Sequence, residues 1–152
     1  MAEYYLISQL PSLDGISENM PLPITEERFS ELCHSLLSAK AVREFRKLTL
    51  LPTMEYEKSN SALIESWNSG ERDLRLALSK IRAEKMGKGF DIGQRILPTT
   101  LLQTAKTAVE FTSPLEAEQF LNRYRLNFLE SLRPTDNFSQ DYIFYYGLKL
   151  KL

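Results

Sequence analysis

The stretch 61–86, SALIESWNSGERDLRLALSKIRAEKM, carries the strongest structural signal in the chain. Its apolar positions share one narrow angular sector at 100° per residue; they are Leu63, Trp67, Leu74, Leu78 and Ile81. One apolar face along about seven turns predicts a long helix, or two helices on one axis that meet at Gly70, where glycine costs about 1 kcal/mol relative to alanine. Gly87 lies just after a last turn that contains Lys85, and it is expected to end the helix in a left-handed cap.

Caps and apolar periodicity predict further helices on both sides of this stretch. Thr25, followed by Glu26 and Glu27, is typical of a helix start, because the helix dipole favours carboxylates in the first turn. Ser113 and Pro114 open the clearest start signal, a capping box with proline at the first helical position. The other boundaries are predicted at Pro98 and near Ser139, where helices begin, and at Pro52, where one ends.

Residues 1–24 differ in pattern from the rest of the chain. Tyr4-Tyr5-Leu6-Ile7 is a short β-prone run, and the prolines at 21 and 23 exclude a helix interior. We expect 1–24 to form an extended arm that lies on a helical core of residues 25–152. The sequence therefore predicts an all-α fold, with a single domain of five or six helices and an N-terminal arm.

Composition limits the classes of function. Of 152 residues, 19 are Lys or Arg and 20 are Asp or Glu, which gives a formal charge of −1 and argues against a general binder of nucleic acids or acidic membranes. No apolar run approaches the roughly 20 residues that span a bilayer, and the first residues lack a signal-peptide pattern. The one cysteine, Cys33, cannot form an internal disulfide, so we expect a cytoplasmic protein.

The sequence offers no pattern typical of catalysis or metal binding. Cys33 and His34 are adjacent, but consecutive side chains on a helix diverge by about 100°, so they cannot form a dyad with each other. A zinc site would have to rest on carboxylates, because the chain holds one His and one Cys. We therefore predict no catalytic residue, no metal and no cofactor.

The glycine-rich segment 87–93 is a weak candidate for anion binding. Free backbone amides near Gly87 and Gly89, with the side chain of Arg95, could hold a phosphate. The segment lacks the Gly-Lys-Ser/Thr ending of a P-loop and follows a predicted helix rather than a strand. A helix cap and connector is the favoured interpretation.

Arginines border the apolar face of the long predicted helix. Arg75 and Arg82 project within about 20° of each other, and Arg72 lies about 60° further round, with Glu71 beside them. Such a border suits ion pairs with another helix of the same chain, or docking of an acidic partner. RNA binding is less favoured, since Phe90 is the one aromatic residue within 72–95.

The end of the sequence is apolar. Leu148, Leu150 and Leu152 alternate with lysines and follow a predicted helix. Three interpretations of these leucines are open: they pack on the protein's own core, they are presented to a partner, or further natural sequence follows them.

Three blocks of residues together resemble a known family. They are Tyr4-Tyr5-Leu6-Ile7 with Leu10-Pro11-Ser12-Leu13; Trp67, Glu71-Arg72, Leu74-Arg75, Leu78, Arg82-Ala83, Lys85 and Gly87; and Phe138-Ser139, Asp141 and Tyr146-x-Leu148-Lys149-Leu150. In this order they look like an uncharacterised bacterial family whose genes lie within V-type ATPase operons. That family is distantly similar to the helical C/d component of V/A-type ATPases, which joins the rotor ring to the central stalk. This chain is shorter than the family's members between its long helix and its last one.

The resemblance implies a non-catalytic accessory or assembly component, similar to a stalk connector, whose partners are V-type ATPase subunits. It implies contact with the membrane only indirectly, through the ATPase, and a peripheral cytoplasmic location. Partner-binding residues would be Trp67, Glu71, Arg72, Arg75, Arg82, Leu148 and Leu150. The alternatives are an enzyme that uses the 87–95 loop on a phosphate-containing small molecule, and an RNA-binding helical module.

Overall fold

Seven helices make up the regular structure of the residues described by a computed structural model, which are 2–13, 21–52, 58–87, 89 and 97–152. They are α1 (Ala2–Ser8), α2 (Glu26–Leu36), α3 (Ala39–Arg46), α4 (Ala62–Lys85), α5 (Thr99–Glu110), α6 (Pro114–Ser131) and α7 (Gln140–Lys151). No strand occurs in these residues, so the predicted all-α class is confirmed for them. Within the same ranges, no helix combines the length and the apolar character needed to cross a membrane.

Side-chain caps set most helix starts where the sequence predicts them. Thr25 accepts a hydrogen bond from the Arg28 amide at 3.1 Å, and Ser113 accepts one from the Glu116 amide at 3.4 Å. Ser139 caps α7 in the same way, and Pro98 occupies the cap position of α5. Each side-chain cap supplies an acceptor to one of the amide groups that the first turn of a helix leaves without a partner.

The N-terminal segment departs from the predicted extended arm. Residues 2–8 form α1, which is the helix beyond the five or six expected. Leu6 of α1 is completely buried beside Phe29 and Cys33, and α1 lies against α2 and α7. Burial of this leucine against two helices outweighs the weak local preference of neighbouring tyrosines for strand. The prediction of an extended arm is therefore wrong for residues 2–8.

The helix α3 is shorter than predicted. It ends at Arg46 rather than near Pro52. The chain that follows lies across α4 instead: the Thr49 carbonyl accepts a hydrogen bond from Trp67 Nε1 at 3.1 Å, and the Pro52 carbonyl accepts one from Arg75. These two bonds fix the chain after α3 against the side of α4.

The long predicted helix is one continuous element, α4. Gly70 lies within it, where the ring of Phe128 on α6 packs against the bare backbone. A Cβ atom at position 70 would lie 2.4 Å from Phe128 Cζ. Gly70 therefore permits the close approach of α6, and Gly87, with φ of +72°, ends α4 in the left-handed conformation that the sequence predicts.

Three helices, α4, α6 and α7, connect the three apolar clusters of the fold. One cluster joins α1, α2, α3 and α7 around Leu6, Phe29 and Cys33. A second joins α4, α5 and α6, and a third joins the first half of α4 with the end of α6 and with α7. Thus α4, α6 and α7 each belong to two clusters. Of these, α7 alone reaches the first cluster, and it contacts α1, α2, α4 and α6.

Candidate functional site

The arginine-bordered face of α4 is occupied by the protein's own helices. Glu71 is buried, and Arg125 of α6 donates to both of its carboxylate oxygens, from Nε at 3.0 Å and from Nη2 at 2.9 Å. Arg75 Nε lies 3.9 Å from the same carboxylate, and Arg75 also donates from Nη1 to the Pro52 carbonyl. Of the two uses predicted for this border, intramolecular ion pairing is the one that the structure shows for Glu71 and Arg75.

The other two arginines of the border lie in different environments. Arg72 is buried in α4, whereas Arg82 is exposed in the last turn of the helix. Arg82 is therefore the arginine of this set with surface to offer to a partner.

Trp67 is part of the core. Its side chain is 1% exposed, its indole N–H donates to the Thr49 carbonyl, and its ring centroid lies 5.9 Å from that of Phe128. A side chain enclosed in this way has no surface for another protein, so the partner-binding role predicted for Trp67 is not compatible with this structure.

The terminal leucines also lie inside the protein. Leu148 packs in the cluster with Trp67, and Leu150 packs in the cluster with Phe29. Of the three alternatives open from the sequence, packing on the protein's own core is the one observed for Leu148 and Leu150. Their predicted docking role is corrected accordingly.

The predicted anion-binding segment lies mainly outside the described residues. Gly87 acts as the cap of α4, and Gly89 is exposed. Arg95 falls in 90–96, outside the described residues, so the enzyme alternative built on this segment stays a prediction.

The adjacent Cys33 and His34 point to different environments. Cys33 is fully buried, and this burial raises the pKa of its thiol to about 12, which keeps the thiol protonated. His34 is exposed, and its Nδ1 lies 2.8 Å from the Ser30 carbonyl. Among the described residues, no group of three or more His, Cys, Asp or Glu side chains is placed to hold a metal ion.

An exposed pair of aromatic rings was not predicted from the sequence. Tyr4 of α1 and Phe138, in the turn before α7, have ring centroids 4.8 Å apart, and they remain 58% and 51% exposed. We call Tyr4 and Phe138 the aromatic patch. Tyr5, also on α1, is exposed as well, contrary to the expectation that the segment would lie against the core.

A groove runs between α2, α3 and α7. It has a volume of about 620 Å³, and its apolar floor is formed by Phe29, Phe45, Leu48, Gly147 and Leu150. The side chains that line it from α2 are Glu26, Glu27, Ser30, Glu31 and His34, and Arg46 and Lys151 line the other walls. This groove and the aromatic patch are two surface features of the described residues that packing of the core does not explain.

No family model, curated protein or solved structure matches the chain.

Proposed function

We propose that this protein is a non-catalytic accessory or assembly component of a bacterial V-type ATPase, and that it docks onto the ATPase through the aromatic patch. The resemblance of the three sequence blocks supplies the ATPase context. The exposed rings of Tyr4 and Phe138 are the observation that carries the docking function.

Most residues of the three blocks are explained by packing. Leu6, Trp67, Leu74 and Leu148 are buried, and Glu71 is held by Arg125. The tyrosine of the first block and the phenylalanine of the third meet at the surface, although they come from opposite ends of the sequence.

Two adjacent rings that stay more than half exposed suit a protein interface. Aromatic side chains are enriched at the centres of interfaces because they bury a large area with few rotatable bonds. In water the same area is a cost, which docking onto an apolar cleft of a partner removes. Such a partner would hold the protein at the membrane indirectly, through the ATPase complex.

Affinity purification of the tagged protein from its native cells tests this proposal. We expect V-type ATPase subunits to be recovered with the wild-type chain and to be lost with Tyr4→Ser/Phe138→Ser. The matched control is Met86→Ser/Leu115→Ser, which removes two equally exposed apolar side chains elsewhere and should retain the subunits. Far-UV circular dichroism of both variants checks that the helices are intact.

Two results would contradict the proposal in different ways. If wild-type protein recovers no part of the ATPase, the ATPase assignment is wrong. If both double variants retain the ATPase equally, the protein docks through another surface.

A further inference from the structure

The groove between α2, α3 and α7 has an apolar floor and one acidic wall. Phe29 and Phe45 lie in the floor with ring centroids 5.8 Å apart, and Gly147 lets α7 approach Phe29 and Leu48 closely. On the wall, Glu27 and Glu31 are one helical turn apart and both face the groove. A ligand of this groove therefore meets apolar surface below and the carboxylates of Glu27 and Glu31 on one side. Two cationic side chains, Arg46 and Lys151, line the other walls, and Lys151 is paired with Glu26.

The Glu27 and Glu31 carboxylates are exposed and accessible to an incoming cation. Glu27 forms no ion pair with any residue in the described ranges. Glu31 pairs with Arg28 at 3.3 Å, but both side chains are more than 60% exposed, and a pair of this kind contributes little. Glu26 differs, because Lys151 of α7 holds it at 3.2 Å.

We propose that this groove binds a basic amphipathic helix of a partner protein. The apolar side chains of that helix rest on the partly exposed Phe45 and Leu48, and two cations one turn apart face Glu27 and Glu31. This surface is separate from the aromatic patch, so the inference goes beyond the proposed function and does not depend on it.

The walls of the groove favour a helix over an extended peptide. They are α-helices, whose backbone groups are already bonded internally, so they offer no strand edge to pair with. A helical ligand satisfies its own backbone and needs only side-chain contacts. The acidic wall also disfavours nucleic acids and anionic lipids, whose phosphates Glu27 and Glu31 would repel.

Fluorescence anisotropy with the full chain and two labelled model peptides tests the proposal. The first peptide is an alanine-based helix with two lysines one turn apart, flanked on one side by leucines, and the second has glutamates in place of the lysines. We expect wild-type protein to bind the lysine peptide about tenfold more tightly, with a preference that weakens as salt is raised.

Charge reversal on the wall provides the decisive comparison. Glu27→Lys/Glu31→Lys should invert the preference, so that the glutamate peptide binds more tightly. Glu84→Lys/Glu110→Lys changes the net charge by the same amount at exposed positions away from the groove, and it should keep the wild-type preference. Leu48→Ser, on the floor, should weaken both peptides by about fivefold.

Three outcomes would overturn the proposal. They are absence of binding of either peptide to wild-type protein, equal binding of both, and an equal change of preference in the two double variants. The last would show that the net charge of the molecule, rather than the groove, attracts the peptide.

Discussion

Replacing Arg125 with methionine should lower the free energy of unfolding by about 3 kcal/mol, because it leaves Glu71 as a buried carboxylate with a single distant cation. The Glu71 side chain is 2% exposed and that of Arg125 is 12% exposed. The two hydrogen bonds to Glu71, of 2.9 and 3.0 Å, are lost together with an exposed one to Asn122 Oδ1 of 3.1 Å, and Arg75 at 3.9 Å from Glu71 compensates only in part. Breaking a buried pair costs about 3–5 kcal/mol, and this residual contact places the loss at the lower end.

Urea denaturation followed by far-UV circular dichroism at pH 7 measures this loss. For a protein of this size, 3 kcal/mol corresponds to a fall in Tm of about 6–12 °C. Arg28→Met is the matched control, since it removes an arginine from an exposed pair and should cost about 0.5 kcal/mol or less. The double variant Glu71→Leu/Arg125→Met should recover most of the stability, because no buried charge remains unpaired.

Two results would refute this reasoning. One is a loss below about 1 kcal/mol in Arg125→Met, or a loss equal to that of the Arg28→Met control. The other is a double variant that is as unstable as the sum of its single substitutions, which would show that Glu71 and Arg125 are not coupled.

Two further predictions follow from close contacts in the core. Gly70→Ala should lower the free energy of unfolding by about 1–2 kcal/mol in the same urea assay, although alanine favours helix. The reason is that the new Cβ would lie 2.4 Å from Phe128 Cζ. The control is Ser66→Ala, at an exposed position of α4, which should change the free energy of unfolding by no more than about 0.5 kcal/mol. The hydrogen bond from Ser59 Oγ, at 2.6 Å, holds the pKa of the buried Glu44 carboxyl below its usual value. Since the folded-state pKa is lowered, the stability that ionised Glu44 contributes is complete above the unfolded pKa of about 4.3 and is lost as the pH falls through the folded pKa. Urea denaturation at pH 7 and at lower pH values should show that the wild type has a larger free energy of unfolding than Glu44→Gln. This difference should decrease as the pH falls below about 4.3. A difference that stays constant over the acidic range would contradict the role assigned to Glu44.

Local chemistry explains why most of the helices could be predicted. The caps at Thr25, Ser113 and Ser139 each act on the amide group three residues further along, so the whole interaction lies within a short window of sequence. The left-handed turn at Gly87 is likewise a property of one residue. The spacing of the apolar residues along α4 was sufficient to predict one continuous apolar face.

Contacts between distant residues explain what could not be predicted. Arg125 lies 54 residues from Glu71, and nothing in the pattern of α6 marks it as the partner of that carboxylate. The helical state of residues 2–8 depends on burial of Leu6 against α2 and α7, which no local preference shows. The aromatic patch depends in the same way on Tyr4 and Phe138 being brought together by the fold.

The central position of α7 has a consequence for synthesis on the ribosome. Residues 143–148 are buried between helices that are all translated before them. Until this segment leaves the exit tunnel, the apolar sides of α2 and α4 that it covers, including Phe29 and Ile64, face water or a chaperone. A nascent chain stalled before residue 143 would therefore be a preferred substrate for aggregation and proteolysis, whatever the stability of the finished fold.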